Sequence, residues 1–283
     1  MSSLPAMTSV PLTNSLATPS PLQDSAPSPP ILSKAPAATP TITRNLWLVG
    51  LVFGVGTQIF FLVTAWNLFL FLRYGSSTQG SYWIATDTLL ALFFAWPHSL
   101  LLVPSVQKRL KSLVPGAWMG LIHCSVTCIS LWMLYWGWRT VDVYLWRLEG
   151  WAAQGMLFGF YASWIALFYS LYLTGMGYQT GLTPWWYWIR STPLPRRPFV
   201  RHGAFRWMRH PVYMSFLGLI WFTPTMSLDH AILTGIWTLY IYIGSYMKDR
   251  RLEHFIGEDY RAYGRQVTGF PLIGFGPWGR FRN

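Results

Sequence analysis

The sequence predicts an all-α fold: a polytopic helical membrane protein with four spans and a C-terminal helical hairpin, preceded by a disordered N-terminal tail. Three observations predict it. Of 283 residues, 52% are hydrophobic and only 11% charged, where soluble domains carry about 25% charged residues. The apolar residues gather in runs near the length of roughly 20 that crosses a bilayer. The charges that remain gather between those runs. A net charge of +12 would point to nucleic acid in a soluble chain. Here it follows from basic loops between spans, and no basic face belongs to a recognisable nucleic-acid module. The composition therefore implies the lipid bilayer as partner and excludes nucleic acid.

The elements follow in order. Residues 1–42 are rich in Pro, Ser, Thr and Ala. They bury too little apolar surface to offset ordering entropy and form a disordered tail. Without a charged start and apolar core, they do not read as a secretory signal. Residues 43–283 form one membrane-embedded domain. Its first span is expected from about Leu46 to Phe71, between Arg44 and Arg73. The second runs from about Tyr82 to Val103 and holds Trp96, Pro97, His98 and Ser99 near its end. A loop with Lys108, Arg109 and Lys111 leads to the third span, about Trp118 to Trp138. The loop with Arg139, Asp142, Arg147 and Glu149 is balanced in charge. The fourth span covers about Trp151 to Tyr172, and a long arginine-rich loop then reaches Arg209.

The last apolar stretch divides at Thr223 to His230 into a hairpin with halves 211–222 and 231–247. Pro211 suits a first helical turn, where its missing N–H has no partner to lose. Ser227 or Asp229 is placed to cap the second half. A charged, amphipathic block follows Met247, and then a Gly- and Pro-rich end. With four spans before the hairpin, the basic loops fall on one side. This predicts both termini in the cytoplasm, with a bacterial inner membrane as the expected location. Trp and Tyr near span ends, including the run from Thr183 to Trp188, read as interfacial anchors. Cys124 and Cys128 read as a packed thiol pair, since neither a disulfide framework nor a metal spacing is available.

Ionisable residues inside a membrane are costly, which makes them functional candidates. Asp87, His98 and His123 lie deepest. A richer cluster stands at the feet of the hairpin. His210 and Tyr213, three apart, share one side of a starting helix. Arg209 offers a planar fork for a carboxylate. Asp249 and Glu253 stand one turn apart at the other foot, and His230 at the break is expected to face the same surface. Intramembrane charges are too few to mark an ion path.

Several segments resemble, in order, the membrane methyltransferase superfamily that contains isoprenylcysteine carboxyl methyltransferase, and within it the methanethiol S-methyltransferase and NnrU-type membrane proteins. They are FAWPHSLLLVPSVQKRL (Phe94 to Leu110), LYWGWRTVDVYLW (Leu134 to Trp146), LTGMGYQTG (Leu173 to Gly181), FVRHGAFRWMRHPVY (Phe199 to Tyr213), WFTPTMSLDH (Trp221 to His230) and RRLEHFIGEDYRAYGRQV (Arg250 to Val267). The resemblance implies S-adenosylmethionine as cofactor, held by Arg209, His210, Tyr213, His230 and Asp249. It implies a small thiol or lipidic acceptor, with His98 on the substrate side and no metal. The match departs at Lys248 and Asp249, where the family has adjacent glutamates, and at Ser215, Val103 and Phe205, in place of glycine, arginine and tyrosine. These departures support a second reading: a non-catalytic scaffold or accessory subunit working with other membrane subunits.

Overall fold

In the computed structural model the described residues are 43–76, 78, 83–195, 199–271 and 273–282; the tail read from residues 1–42 lies outside them. The membrane domain is helical: α1 (Arg44–Tyr74), α2 (Trp83–Leu100), α3 (Pro104–Lys111), α4 (Met119–Gly137), β1 (Tyr144–Arg147), α5 (Gly150–Thr174), α6 (Met176–Gln179), α7 (Leu182–Ile189), α8 (Pro211–Trp221), β2 (Thr225–Ser227), α9 (Leu228–Ile256) and α10 (Glu258–Gln266). The expected spans correspond to α1, α2, α4 and α5. Three helices are long and apolar enough to cross a membrane, and a fourth if α2 and α3 form one span bent by 64°. The bend follows Pro97 by a few residues, and Pro104 then opens α3 at a position where its missing N–H costs nothing.

Apolar side chains face outward along these helices. Val52 on α1, Trp136 on α4 and Phe158 on α5 are 72%, 72% and 76% exposed. Such a surface suits hydrocarbon, not water. The inner face of α1 carries small residues, Gly50, Gly54, Thr57 and Thr64, all buried. A Cβ at Gly54 would overlap the Trp185 indole, and one at Gly50 would overlap Trp188. Trp185 is only 4% exposed, and its indole N–H donates to the Gly50 carbonyl at 2.7 Å. The tryptophans of α7 therefore key into a small-xxx-small notch of the kind that lets membrane helices approach closely. For Trp185 this replaces the reading as an interfacial anchor.

The hairpin differs from expectation in two ways. Its second arm and the first part of the charged block, to Ile256, are one continuous helix, α9. Its tip is also tied to the rest of the bundle: β2 pairs antiparallel with β1, the strand between α4 and α5. Since α4 starts against α7, with Trp118 and Trp188 rings 5.4 Å apart, and ends at Trp138 beside the tip, the tip and the feet lie at opposite ends of the bundle. From Leu228 to Asp249, α9 rises roughly 30 Å at 1.5 Å per residue. Neither Ser227 nor Asp229 caps α9. Ser227 makes no side-chain cap bond, and the Asp229 carboxylate instead accepts the Trp138 indole N–H at 3.0 Å and the Val141 N–H at 3.3 Å.

Candidate active site

Pro211 starts α8 immediately after Arg209 and His210, so both side chains leave the chain at a fixed helix entry. Arg209 is 2% exposed and His210 0%. Their backbone N–H groups donate to Thr268 and Gly269 carbonyls at 2.9 and 3.1 Å, which holds this entry against the C-terminal segment. Asp249, on α9, faces them. Its Oδ2 accepts from Arg209 Nε at 3.2 Å and Nη2 at 3.0 Å, and from His210 Nε2 at 3.0 Å. Its Oδ1 accepts from the Tyr260 hydroxyl of α10. The remaining Arg209 donors reach the carbonyls of Val267 at 2.6 Å, Gly279 at 2.9 Å and Pro277 at 3.0 Å. The Phe281 ring covers the guanidinium 4.2 Å away. Every Arg209 N–H thus has a protein acceptor.

The charges of the cluster follow. Burial raises the Asp249 pKa, but the His210 hydrogen bond, the Arg209 charge and the Tyr260 hydroxyl more than reverse this. The carboxyl is held below its ordinary value. Burial lowers His210 below its usual range despite the opposing pull of Asp249, so the imidazole is neutral. Its Nε2 then donates to the carboxylate, which leaves the lone pair on Nδ1. That Nδ1 is buried and has no hydrogen-bond partner among the described residues. Burial and the Asp249 charge push Tyr260 up, keeping its hydroxyl a donor.

Both perturbed groups bind fewer protons folded than unfolded across acid pH. The His210 contribution is fully present above the unfolded histidine value near 6.5 and fades as pH falls towards the lower folded value. The Asp249 contribution is present above the unfolded carboxyl value near 3.9 and is lost below it. Stability is therefore expected to fall as pH drops from 7 to 5, and further from 4 to 3. Thermal unfolding in detergent at stepped pH checks this; a flat profile between 7 and 5 would detach His210 from the account.

The five residues expected at one cofactor site do not all meet. Arg209, His210 and Asp249 bond to each other, and Tyr213 stands beside them, its ring edge-on to His210 at 5.6 Å. His230 is elsewhere: its Nε2 donates to the Ile220 carbonyl at 3.1 Å, about 15 Å along α8 from His210. The helical arms place the break at the far end of the bundle, so His230 satisfies the end of α8 instead of facing the feet. Lys248 lies on the neighbouring face of α9, its Nζ 5.4 Å from the Tyr213 ring centre. Ser215 turns its hydroxyl back to the Pro211 carbonyl at 2.9 Å.

His98 belongs to a second polar group at the junction of α2, α4 and α9. Its Nδ1 lies 3.1 Å from Thr127 Oγ1. The His123 Nε2 lies 3.3 Å from the His98 carbonyl, and the two rings are 4.6 Å apart. Ser99 and Tyr240 hydroxyls meet at 3.0 Å. Phe94 packs on Trp237 at 4.9 Å and on His98 at 5.8 Å. Tyr213 joins the two groups, since its hydroxyl donates to the Gly244 carbonyl at 3.4 Å, one turn along α9 from Tyr240. Thr127 and Tyr240 carry no local motif, and their roles arise only from helix packing; Tyr260 lies in the C-terminal block of the resemblance, but its bond to Asp249 is visible only in the fold. Among the described residues there is no cluster of three or more His, Cys, Asp or Glu fit for a metal ion.

Outward-facing apolar helices around a polar, aromatic interior define an all-α integral membrane protein. In sequence the chain is similar, at a distance, to membrane methyltransferases named methanethiol S-methyltransferase. It is 26% identical over 234 residues to the methanethiol S-methyltransferase of a Pseudomonas species, covering 78% of this chain and 88% of the relative. It is 24% identical over 235 residues to that of Crocosphaera subtropica, covering 79% and 92%. Mouse (Mus musculus) Nurim is 28% identical over 166 residues, covering 56% of this chain and 63% of Nurim. No family model matches the chain. No solved structure matches it either.

Proposed function

We propose that the protein is a membrane methyltransferase that moves a methyl group from S-adenosylmethionine to a small thiol. The observation that carries this reading is the likeness, over more than three quarters of the chain, to proteins named methanethiol S-methyltransferase. The residues at the feet fit the cofactor in a specific way. The unpaired His210 Nδ1 supplies an acceptor for a ligand donor. Tyr213 on α8 and the cation Lys248 facing it from α9 suit an aromatic, carboxylate-bearing ligand. Arg209 and Asp249 act behind them as positioning residues, because their hydrogen-bonding capacity is spent on each other, on Tyr260 and on the C-terminal carbonyls. Bound there, the cofactor supplies an electrophilic methyl on sulfur. The protein's part is to orient the partners and exclude water. The basic ends of α3 and the loops before α8 support a cytoplasmic placement of this face.

Titration of the purified protein in lipid nanodiscs with S-adenosylmethionine is expected to give saturable binding. His210→Phe should weaken it by roughly 10-fold, in line with one lost hydrogen bond of about 1–1.5 kcal/mol. No saturable binding to a folded protein would sink the reading. One observation favours a second function, that of a non-catalytic membrane scaffold: the Arg209 donors are already satisfied within the protein. Absence of both binding and transfer, with a stable partner co-purifying, is the outcome that reading expects.

A further inference from the structure

We propose that His98 is the general base that takes the proton of a thiol acceptor at the junction of α2, α4 and α9, with its reactive nitrogen fixed by Thr127. This rests on the methyl-transfer reading above and adds a catalytic residue to it.

The argument starts from hydrogen-bond direction. The Thr127 hydroxyl has one proton, and it donates to the His123 carbonyl at 2.7 Å. Towards His98, Thr127 Oγ1 can then only accept. His98 Nδ1 must carry the hydrogen in that 3.1 Å contact, which puts the lone pair on Nε2. A carbonyl oxygen only accepts, so His123 Nε2 donates to the His98 carbonyl. That carbonyl is available because α2 ends at Leu100 and the following turn takes its hydrogen bonds from Pro97, Ser99 and Leu100. His123 thus holds the backbone of His98 while Thr127 selects its tautomer. Among the described residues, no hydrogen bond occupies His98 Nε2. Neutral imidazole with one nitrogen anchored and the other open is the arrangement of a general base.

The surroundings indicate what the base acts on. Phe94 and Tyr240 stand beside His98, and Trp237 packs on Phe94 behind them, so these aromatic surroundings favour a small apolar acceptor. A carboxylate acceptor is ionised at neutral pH and needs no base. A thiol, with an ordinary pKa near 8.5, reacts as thiolate and does need one. The step balances simply. The thiol S–H proton passes to His98 Nε2, and the sulfur lone pair forms the new S–CH3 bond. The donor's S–CH3 bond breaks and its electron pair stays on the donor sulfur. The His98 imidazolium afterwards returns its proton to water.

The test compares wild type, His98→Gln, Thr127→Val and Thr127→Ser in nanodiscs, with an alkyl thiol and with an aromatic thiol already ionised at assay pH. For the alkyl thiol, His98→Gln should lower kcat/KM by roughly 10²–10⁴-fold, the range of general-base catalysis. For the ionised thiol the loss should shrink to within about 3-fold. Thr127→Val should lower the alkyl-thiol rate about 10-fold while Thr127→Ser stays near wild type, by the logic of one tautomer-fixing hydrogen bond; this pair decides the matter if His98→Gln does not fold. Imidazole ¹⁵N shifts of the wild-type protein should show His98 as the Nδ1–H tautomer. Active wild type with His98→Gln equally fast on both thiols, or His98 as the Nε2–H tautomer, overturns this inference alone. A folded wild type that transfers to neither thiol overturns it together with the methyltransferase reading.

Discussion

Asp249→Ala is expected to destabilise the protein by about 3–5 kcal/mol, the usual cost of breaking a buried ion pair on one side. The size follows from what is left behind. Arg209, 2% exposed, would keep its charge and lose the acceptor of both Nε and Nη2. The Tyr260 hydroxyl and His210 Nε2 would lose their partner as well. Asp249→Asn keeps the shape and one oxygen acceptor but removes the charge, so its loss should fall between wild type and alanine. Adding Arg209→Met to Asp249→Ala should recover only part of the loss. That change removes the uncompensated cation but strips donors from the carbonyls of Val267, Pro277 and Gly279. Equilibrium denaturation in mixed micelles measures all four proteins. A loss below about 1 kcal/mol for Asp249→Ala would mean that water or a neighbouring acceptor reaches Arg209 once the carboxylate is gone.

The parts of the fold that were legible in the sequence are those where lipid imposes a simple rule. A helix in hydrocarbon must be apolar along its length, so α1, α4 and α5 stand out as runs. The same rule misreads α9. The change of polarity after Met247 marks where that helix leaves apolar surroundings, yet backbone hydrogen bonding continues to Ile256. Trp185 was hidden for a different reason: tryptophan near a span end usually anchors at the interface. The contrary signal, Gly50-x-x-x-Gly54 on α1, lay far away in sequence. At the site, the residue types at the feet were readable as chemistry, but their pairing was not. Arg209 and Asp249 were each read as facing a ligand, whereas packing turns them towards each other. The sequence places His230 at the hairpin break and does not tell which end of the bundle that break reaches. The β1–β2 pairing carries its tip, and His230 with it, to the other end of the bundle. His98 was visible as an ionisable residue near a span end, but the hydroxyl that selects its tautomer sits on another helix.

Removing residues 275–283 is expected to cost about 3 kcal/mol or more, although the Gly- and Pro-rich end reads in sequence as a loose tail. Two of the Arg209 hydrogen bonds end on this segment, at Pro277 and Gly279. Bonds to a charged donor contribute about 1.5–3 kcal/mol each. The Phe281 ring over the guanidinium adds a cation–π contact of about 0.5–2 kcal/mol. Water replaces some of this, so the sum is an upper bound. The segment is also held by its own contacts: the Gly269 N–H donates to the Trp278 carbonyl at 2.6 Å, and the Trp278 indole N–H donates to Ser245 on α9 at 3.0 Å. Truncation would therefore loosen the link between α8 and α9 as well as uncover Arg209. Phe281→Ala separates the two effects, since it removes the ring and leaves the carbonyls in place; its loss should stay near 1–2 kcal/mol. If truncation leaves unfolding unchanged, the C-terminal carbonyls contribute nothing net to the cluster. Arg209 would then be open to a ligand carboxylate at no cost to the fold, and the truncated protein should bind such a ligand more tightly than wild type.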